Sequence, residues 1–194
     1  MQPVLHTPRL TLRPVTTADV EPLWVLWTHP RVRRYLWDDR SISREEATIV
    51  VADCMALGAS GLGLWVLEGN DTGGIRGAAP NDDAGALGCA GLLPVSTAAR
   101  YDERIAGLVE PIVVLAPAAR GQGFAQEALA ALIVHAAETL GLTHIAGVTD
   151  VPNTPSDRML RRAGFRVLGE VPGPKHPLRT YLLDVDRPGP SSLP

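Results

Sequence analysis

Apolar residues recur at steps of three and four positions between residues 124 and 140, a spacing that predicts an amphipathic helix. The apolar positions are Phe124, Ala128, Leu129, Leu132, Ile133, Ala136 and Leu140. His135 falls outside this stripe and is expected at the surface. Gly141 stands where a C-cap glycine is expected, and an apolar run at 112–115 predicts a strand before the helix. The region therefore predicts a strand, a glycine turn and a helix.

Elsewhere along the chain, short apolar runs predict strands and capped stretches predict helices. Strands are expected within 7–14, 63–67, 87–93, 106–115, 144–149, 165–168 and 179–185. Helices are expected after Thr16 or Thr17, after the capping box that begins at Ser43, and at 153–163. His29-Pro30 should end the first helix, because proline disfavours helical geometry in the residue before it.

Three stretches interrupt this regular pattern. Pro111 lies inside a predicted strand and has no N–H for a ladder hydrogen bond, so we expect a bulge or a local splay there. Residues 69–85 are rich in glycine, asparagine and aspartate and predict a long loop. Residues 187–194 contain too few apolar side chains to become ordered. We therefore predict one domain at 1–186, followed by a disordered tail.

Composition narrows the functional classes. The 194 residues suffice for one domain, and a net charge of −3 gives no electrostatic reason to expect nucleic acid or a membrane surface as a partner. Cys54 and Cys89 lie in apolar surroundings and are expected to be free thiols in a reducing compartment. We find no signal peptide, no membrane-spanning stretch and no metal-ligand spacing. We expect a cytoplasmic monomer or homodimer without a metal.

The glycine turn carries the first indication of chemistry. Its residues are Arg120, Gly121, Gln122, Gly123, Phe124 and Ala125. Unpaired N–H groups and the helix dipole favour an anion at a helix N-terminus, and glycine lets that anion approach the backbone. The turn lacks the Gly-Lys-Ser/Thr of a nucleotidase loop, and Gln126 replaces the third glycine of a dinucleotide fingerprint. A diphosphate site is predicted; a turn that only joins strand to helix is the alternative.

Four motifs in order resemble a known family. Arg120-x-x-Gly123-x-Ala125 resembles the coenzyme loop of the GNAT superfamily, the acyl-coenzyme-A-dependent N-acetyltransferases. Asn153-x-x-Ser156, followed by Gly164-Phe165, resembles the second motif of that superfamily. Two N-terminal stretches resemble one branch, the ribosomal-protein alanine/serine N-terminal acetyltransferases: Thr7-Pro8-Arg9-Leu10-x-Leu12-Arg13, and Pro30-x-Val32-x-x-Tyr35 with Ser43-x-x-Glu46-Ala47 after it.

The resemblance implies a GNAT fold of the α/β (α+β) class. This fold has a mixed, mostly antiparallel sheet of about seven strands, with helices on both faces. Its two central strands, here 106–115 and 144–149, would splay apart to admit acetyl-CoA. The implied coenzyme contacts are Ile112, Val113, Val114 and Leu115 for pantetheine, residues 120–125 for the diphosphate, and Asn153 with Ser156.

The resemblance also implies the catalytic groups. Glu110 matches the position of the family's proposed general base; the alternative is a carboxylate at a strand end in solvent. The backbone N–H of Val113 or Val114 is the candidate donor to the reacting carbonyl oxygen. Leu160 occupies the place of a common catalytic tyrosine, so Ser156 is the candidate proton donor to the thiolate. Its alternative role is a hydrogen bond to a helix carbonyl.

The acceptor remains open at this point. Trp37 and Asp38, with Asp39, match the acceptor-lining loop, where acidic groups would attract an amine; a solvated turn is the alternative. Tyr35, Trp24 and Trp27 are expected in the core. The implied acceptor is a protein N-terminal amine or a small amine. Pro111-Ile112-Val113 departs from the isoleucine-glycine-aromatic sequence of the branch, so the resemblance does not determine the shape of the acyl pocket. A catalytically silent acyl-CoA-binding module is the rival interpretation.

Overall fold

A computed structural model describes residues 1–70, 86–96 and 98–185. The predicted tail at 187–194 lies outside the described residues, and so does most of the predicted loop at 69–85.

Eight strands and five α-helices follow one another along the described chain. The strands are β1 Leu5–His6, β2 Leu10–Pro14, β3 Gly63–Gly69, β4 Gly88–Pro94, β5 Val109–Leu115, β6 His144–Asp150, β7 Arg166–Val171 and β8 Leu178–Asp184. The helices are α1 Val20–Thr28, α2 Pro30–Arg33, α3 Arg44–Leu57, α4 Phe124–Val134 and α5 Thr154–Arg162. The predicted capping box is present, since the Ser43 hydroxyl accepts from the Glu46 N–H and the Glu46 carboxylate accepts from the Ser43 N–H.

The strands form two antiparallel sheets, which corrects the expected single sheet of about seven strands. The first sheet has the order β1-β2-β3-β4-β5, and the second has the order β6-β8-β7. Strands β5 and β6 lie side by side but belong to different sheets. The predicted splay is therefore a complete break in ladder pairing, and we call this space the central gap.

Pro111 lies at the central gap and makes no bulge against β4. The β4–β5 register runs without a shift from Pro94↔Val109 to Gly88↔Leu115. The N–H of Val95 donates to the carbonyl of Leu108, and the N–H of Ala116 donates to the carbonyl of Leu87. Because ladder bonds alternate along an antiparallel pair, the backbone N–H and C=O of even-numbered β5 residues face β4. The nitrogen of Pro111 therefore faces the gap, where no ladder bond is lost.

The two faces of β5 belong to different hydrophobic clusters. Val113 and Leu115 pack on the side of α4, together with Phe124 and Leu129. Ile112 and Val114 pack on the side of α1 and α3, in the cluster that contains Trp27. Alternation of side chains along a strand places Glu110 on this second side, opposite Leu93 of β4. The base candidate therefore faces the layer that α1, α2 and α3 cover.

His135 is buried, contrary to the surface position expected from the sequence. It is 2% exposed, and its Nε2 lies 2.9 Å from the carbonyl oxygen of Gly61. At about 100° per residue, His135 lies about 20° from both Phe124 and Ala128 around the helix axis, and both of those residues are buried. The regular period therefore already places His135 on the buried face, and its assignment to the surface was wrong.

Both cysteines are free and buried, as the sequence predicted. Burial raises the pKa of the Cys54 thiol to about 11 and that of Cys89 to about 12. Neither thiol is therefore activated as a nucleophile near neutral pH. Among the described helices, none has both the length and the apolar character that crossing a membrane requires.

Candidate active site

The glycine turn presents a row of unpaired backbone donors. Gly121 and Gly123 have φ values of 78° and 85°, and Gly123 is the N-cap of α4 without a capping side chain. Within the described residues, the backbone N–H groups of 121–126 donate to no protein acceptor. The N–H of Glu127 is the first to close a helical bond, to the carbonyl of Gly123. Six consecutive free donors at a helix start constitute an anion site.

Arg9 fixes this turn, a role that the sequence did not reveal. Its Nη1 donates to the carbonyl of Gln122 at 2.9 Å, and its Nε donates to a carboxylate oxygen of Glu127 at 2.6 Å. The guanidinium carbon also lies 4.7 Å from the centroid of the Phe124 ring. Arg9 and Glu127 are 118 residues apart in the chain, so no local pattern could have paired them.

Not every residue of the predicted pantetheine strand offers its backbone to the central gap. The backbone groups of Ile112 and Val114 are used in the ladder with Gly91 and Cys89 of β4, as the alternation described above requires. The N–H groups of Val113 and Leu115 face the gap instead. Of the two residues proposed to donate to the reacting carbonyl oxygen, the ladder therefore leaves Val113.

Arg120 contacts two carbonyl groups beside the gap. Its Nε donates to Leu115 at 3.3 Å, and its Nη1 donates to Arg31 in α2 at 3.1 Å. Burial lowers the pKa of Arg120, and the nearby Arg31 adds to this effect. The side chain thus joins the end of β5 to α2 at the border of the glycine turn.

The second edge of the gap ends at α5. Asn153 is the N-cap of α5, but its side chain makes no capping bond. The hydroxyl of Ser156 is half-buried and makes no hydrogen bond within the described part of the chain, so the alternative role, a bond to a helix carbonyl, is not observed. Leu160, at the place of the family's tyrosine, is 3% exposed. Asp157 anchors this turn by accepting from the Tyr181 hydroxyl at 2.6 Å.

Glu110 is a half-buried carboxylate without a hydrogen-bond donor among the described residues. Burial raises the pKa of Glu110 to about 7, and no neighbouring charge contributes to that shift. A carboxylate in open solvent would keep its ordinary pKa, so the position is not that of a solvated strand end. A carboxylate with a raised pKa accepts a proton more readily than one in open solvent.

Residues 29–40, which we call the bridging segment, lie on the same side of the first sheet. Trp37 is partly buried beside Trp27, with ring centroids 6.0 Å apart, whereas Asp38 is exposed. Trp27 is 3% exposed and belongs to the core, as expected. Trp24 is only partly buried, and Tyr35 lies at the border of the gap, where its hydroxyl donates to the carbonyl of Pro152 at 3.3 Å.

Asp150 is a further carboxylate at this border that the sequence analysis missed. It is the last residue of β6 and is half-buried. Burial raises the pKa of Asp150, and the charge of Asp38 raises it further, while His176 and Lys175 act in the opposite direction. The pairing of a strand end with residues far away in the chain leaves no signature in the local sequence.

The sequence of the chain matches a protein-family model. Residues 9–166 match the model described as "Acetyltransferase (GNAT) domain". The chain belongs to the GNAT acetyltransferase family. The match spans every motif quoted above except Thr7-Pro8, and it ends with β7 just begun.

Relatives and solved structures agree with this family. An uncharacterized N-acetyltransferase of Bacillus subtilis, YoaA, is 27% identical over 170 residues, which cover 87% of this chain and 86% of the relative. A RimL ribosomal L7/L12 alpha-N-protein acetyltransferase, solved with coenzyme A, superposes with a TM-score of 0.72 at 17% identity, covering 95% and 99% of the two chains. A GNAT acetyltransferase of Bacillus anthracis gives a TM-score of 0.70 at 18% identity, covering 94% and 98%. These similarities show the predicted GNAT fold.

The family assigns the donor and the type of reaction. The protein is an acetyl-CoA-dependent acetyltransferase, and acetyl-CoA supplies an acetyl group activated as a thioester. The free N–H groups of 121–126 and the break between β5 and β6 fit a diphosphate followed by a narrow pantetheine arm. Among the described residues, no group of three or more His, Cys, Asp or Glu side chains could hold a metal ion.

Proposed function

We propose that this acetyltransferase acetylates a primary amine, with Glu110 as the general base and the N-terminal amine of a protein as the preferred acceptor. The observation that carries the proposal is the Glu110 carboxylate. It stands without a donor, with a pKa of about 7, on the side of β5 that the bridging segment covers. With Glu110 in this position, the acceptor would bind on the side of the gap that the bridging segment covers, and the coenzyme would bind at the glycine turn.

The coenzyme would be held mainly by backbone groups. The N–H groups of 121–126 would bind the diphosphate, with Arg120 beside them. Val113 and Leu115 would offer backbone groups to the pantetheine amides inside the central gap. The side chain of Asn153, which makes no capping bond, is free to do the same from the opposite edge.

Three steps of the proposed reaction are each assigned to one residue: Glu110, Val113 or Ser156. Glu110 accepts one proton from the ammonium form of the acceptor, and the neutral nitrogen then forms the new bond to the acetyl carbon. The nitrogen gives up its second proton as the tetrahedral adduct collapses to the amide, which balances the proton that the sulfur gains. The N–H of Val113 donates to the carbonyl oxygen while negative charge develops there. The carbon–sulfur bond breaks, and the Ser156 hydroxyl, which is free of other partners, can donate a proton to the departing sulfur. That last step contributes least, because a thiol with a pKa of about 8.5 leaves readily as thiolate.

The acidity of the acceptor ammonium favours an α-amine over a lysine side chain, whatever the pKa of the base. Moving a proton to a carboxylate with a pKa of about 7 from an α-ammonium, with a pKa of about 7.7–8.0, costs about 1 kcal/mol. The same transfer from a lysine ammonium, with a pKa of about 10.4, costs about 4–5 kcal/mol. The likeness of the N-terminal stretches to the ribosomal-protein branch supports the same choice.

Charge at the acceptor side also suits an amine. Asp38 is exposed on the bridging segment, and Asp150 lies close enough for the two carboxylates to influence each other. A protonated amine would be attracted to this border before it loses its proton to Glu110. Trp37 would form the apolar wall beside it. These three residues make the proposed acceptor surface.

An acceptor screen tests this proposal directly. The purified protein is given acetyl-CoA and a panel of amines, and the released thiol is measured. The panel contains peptides with different first residues, the same peptides with blocked N-termini and a free lysine, polyamines and aminoglycosides. We expect release with free N-termini and little with the blocked peptides. Equal rates with blocked and free peptides would refute the N-terminal preference, and no release with any amine would refute amine acetylation.

A further inference from the structure

The bridging segment contacts the residues that follow both strands of the central gap. At one end, the carbonyl of Arg31 accepts from Arg120, which follows β5, at 3.1 Å. At the other end, the hydroxyl of Tyr35 donates to the carbonyl of Pro152, which follows β6, at 3.3 Å. Because β5 and β6 belong to different sheets, the segment spans the opening between them.

The contacts on the β6 side are few and exposed. Besides the Tyr35 hydrogen bond, Lys175 lies 2.9 Å from a carboxylate oxygen of Asp39, and both side chains are more than a third exposed. Exposed ion pairs of this kind contribute little to stability. Asp38 and Asp39 have φ values of 53° and 65°, a region that is unfavourable for residues other than glycine. The conformation of the segment therefore depends on a small number of weak contacts.

We propose that Tyr35 and Arg120 are positioning residues, which hold the bridging segment across the central gap and so place Trp37 and Asp38 for the acceptor. The acceptor part of this inference rests on the proposed function. Tyr35 touches neither substrate; it acts through the segment. Loss of its hydroxyl lowers the fraction of molecules in which the segment is seated, and the apparent acceptor affinity falls by the same factor.

The two ends differ in their relation to the coenzyme. Arg120 borders the N–H groups of the glycine turn, so the same side chain faces the diphosphate and holds α2. Among the described residues, the Tyr35 hydroxyl makes one hydrogen bond, to Pro152 on the other side of the gap, and the centroid of the Tyr35 ring lies 6.3 Å from that of His176. Replacement of Arg120 should therefore weaken both acetyl-CoA and acceptor binding, whereas replacement of Tyr35 should weaken acceptor binding alone.

Limited trypsin digestion and kinetics of Tyr35→Phe test the proposal. The segment contains Arg31, Arg33, Arg34 and Arg40, so the rate of cleavage at these positions reports how often it is released. Loss of one hydrogen bond lowers the seating equilibrium constant about three- to tenfold. The rate of cleavage follows the released fraction and the acceptor KM follows the inverse of the seated fraction, so we expect both to rise, with fold-changes whose product is about three to ten. The kcat and the calorimetric Kd for acetyl-CoA should stay unchanged.

Tyr101→Phe is the matched control, because Tyr101 is 57% exposed and lies in the connection between β4 and β5. It should change neither readout. Equal cleavage rates and equal KM values for Tyr35→Phe and the wild type would overturn the inference. A rise in the acetyl-CoA Kd of Tyr35→Phe would also overturn it, because the change would then extend to the coenzyme site. Trypsin cleavage requires no enzymatic turnover. It therefore tests whether Tyr35 holds the bridging segment in place even if no amine proves to be an acceptor.

Discussion

The two sides of the central gap present different groups: backbone N–H groups on one side and side chains on the other. On the proposed coenzyme side, six backbone N–H groups at 121–126 and the backbone of Val113 and Leu115 form the surface, and Arg9 holds the turn through the Gln122 carbonyl. On the proposed acceptor side, the surface consists of side chains on the bridging segment and at the end of β6, held by single hydrogen bonds and exposed ion pairs. The first surface is fixed by the fold, and the second can change with individual substitutions.

This difference explains how one fold can keep its donor and change its acceptor. A backbone surface depends on conformation, so most substitutions leave it intact and only those at special φ values destroy it. A side-chain surface depends on each residue. The predictions below begin with the backbone surface, where a single substitution should have the largest effect.

Gly123→Val should abolish acetyl-CoA binding, with at least about a 100-fold rise in Kd by calorimetry. Gly123 has a φ of 85°, where a β-branched residue is strained, and a Cβ there would lie 3.3 Å from Arg9 Nη2. Gly141→Val is the control, because Gly141 has a φ of 66° but follows the far end of α4. The control should lose stability and keep its affinity. An unchanged Kd for Gly123→Val would contradict the assignment of the diphosphate site.

Glu110→Gln should lower kcat by about 100- to 10,000-fold, the contribution of a positioned general base. The Kd for acetyl-CoA should stay within about twofold of the wild-type value, because Glu110 faces away from α4. Glu103→Gln, at an exposed carboxylate before β5, is the matched control and should retain full activity. Full activity of Glu110→Gln would remove this residue from the mechanism.

The wild-type rate should depend on pH through the ionisation of Glu110. The base form increases as pH rises through its pKa of about 7, so kcat should rise about tenfold per unit well below pH 7 and level off above it. Acceptors with different amine pKa values separate this inflection from that of the substrate. An inflection that moves with the acceptor pKa would show that Glu110 does not control the rate.

Ser156→Ala should have the smallest effect, a fall in kcat of about two- to tenfold, because a thiolate leaves without much assistance. Ser41→Ala, at an exposed hydroxyl between α2 and α3, provides the comparison. The fall should shrink when a donor thioester with a more acidic thiol replaces acetyl-CoA. Equal rates for Ser156→Ala and the wild type would show that Ser156 is not the proton donor, and the departing thiolate would then be protonated by water.

The conformation of the glycine turn could be predicted from the sequence, whereas the contacts around it could not. Glycines at 121 and 123 are needed where φ is positive, so the turn could be read from the residue types alone. The choice between Val113 and Val114 could not, because it depends on which β5 residues pair with β4. The role of Arg9 depends on Glu127, 118 residues away.

Aromatic and histidine positions gave the clearest errors. Tyr35 was expected in the core, but only its contact with Pro152 reveals its place at the gap. His135 was assigned to the surface, although the α-helical period places it beside the buried Phe124 and Ala128. The number of sheets depends on hydrogen bonds that are absent between β5 and β6, and local composition does not contain that information.

The break between the sheets leaves β5 and β6 each with one unpaired edge inside the molecule. An unpaired strand edge is a template for pairing with another chain, and proteins reduce this hazard with prolines at such edges. Pro111 stands on the open edge of β5 and removes one donor from it. Replacing it with valine would restore that donor and offer a longer row of hydrogen-bonding groups to a foreign strand. Pro111 therefore leaves one hydrogen-bond donor fewer on this edge than valine would.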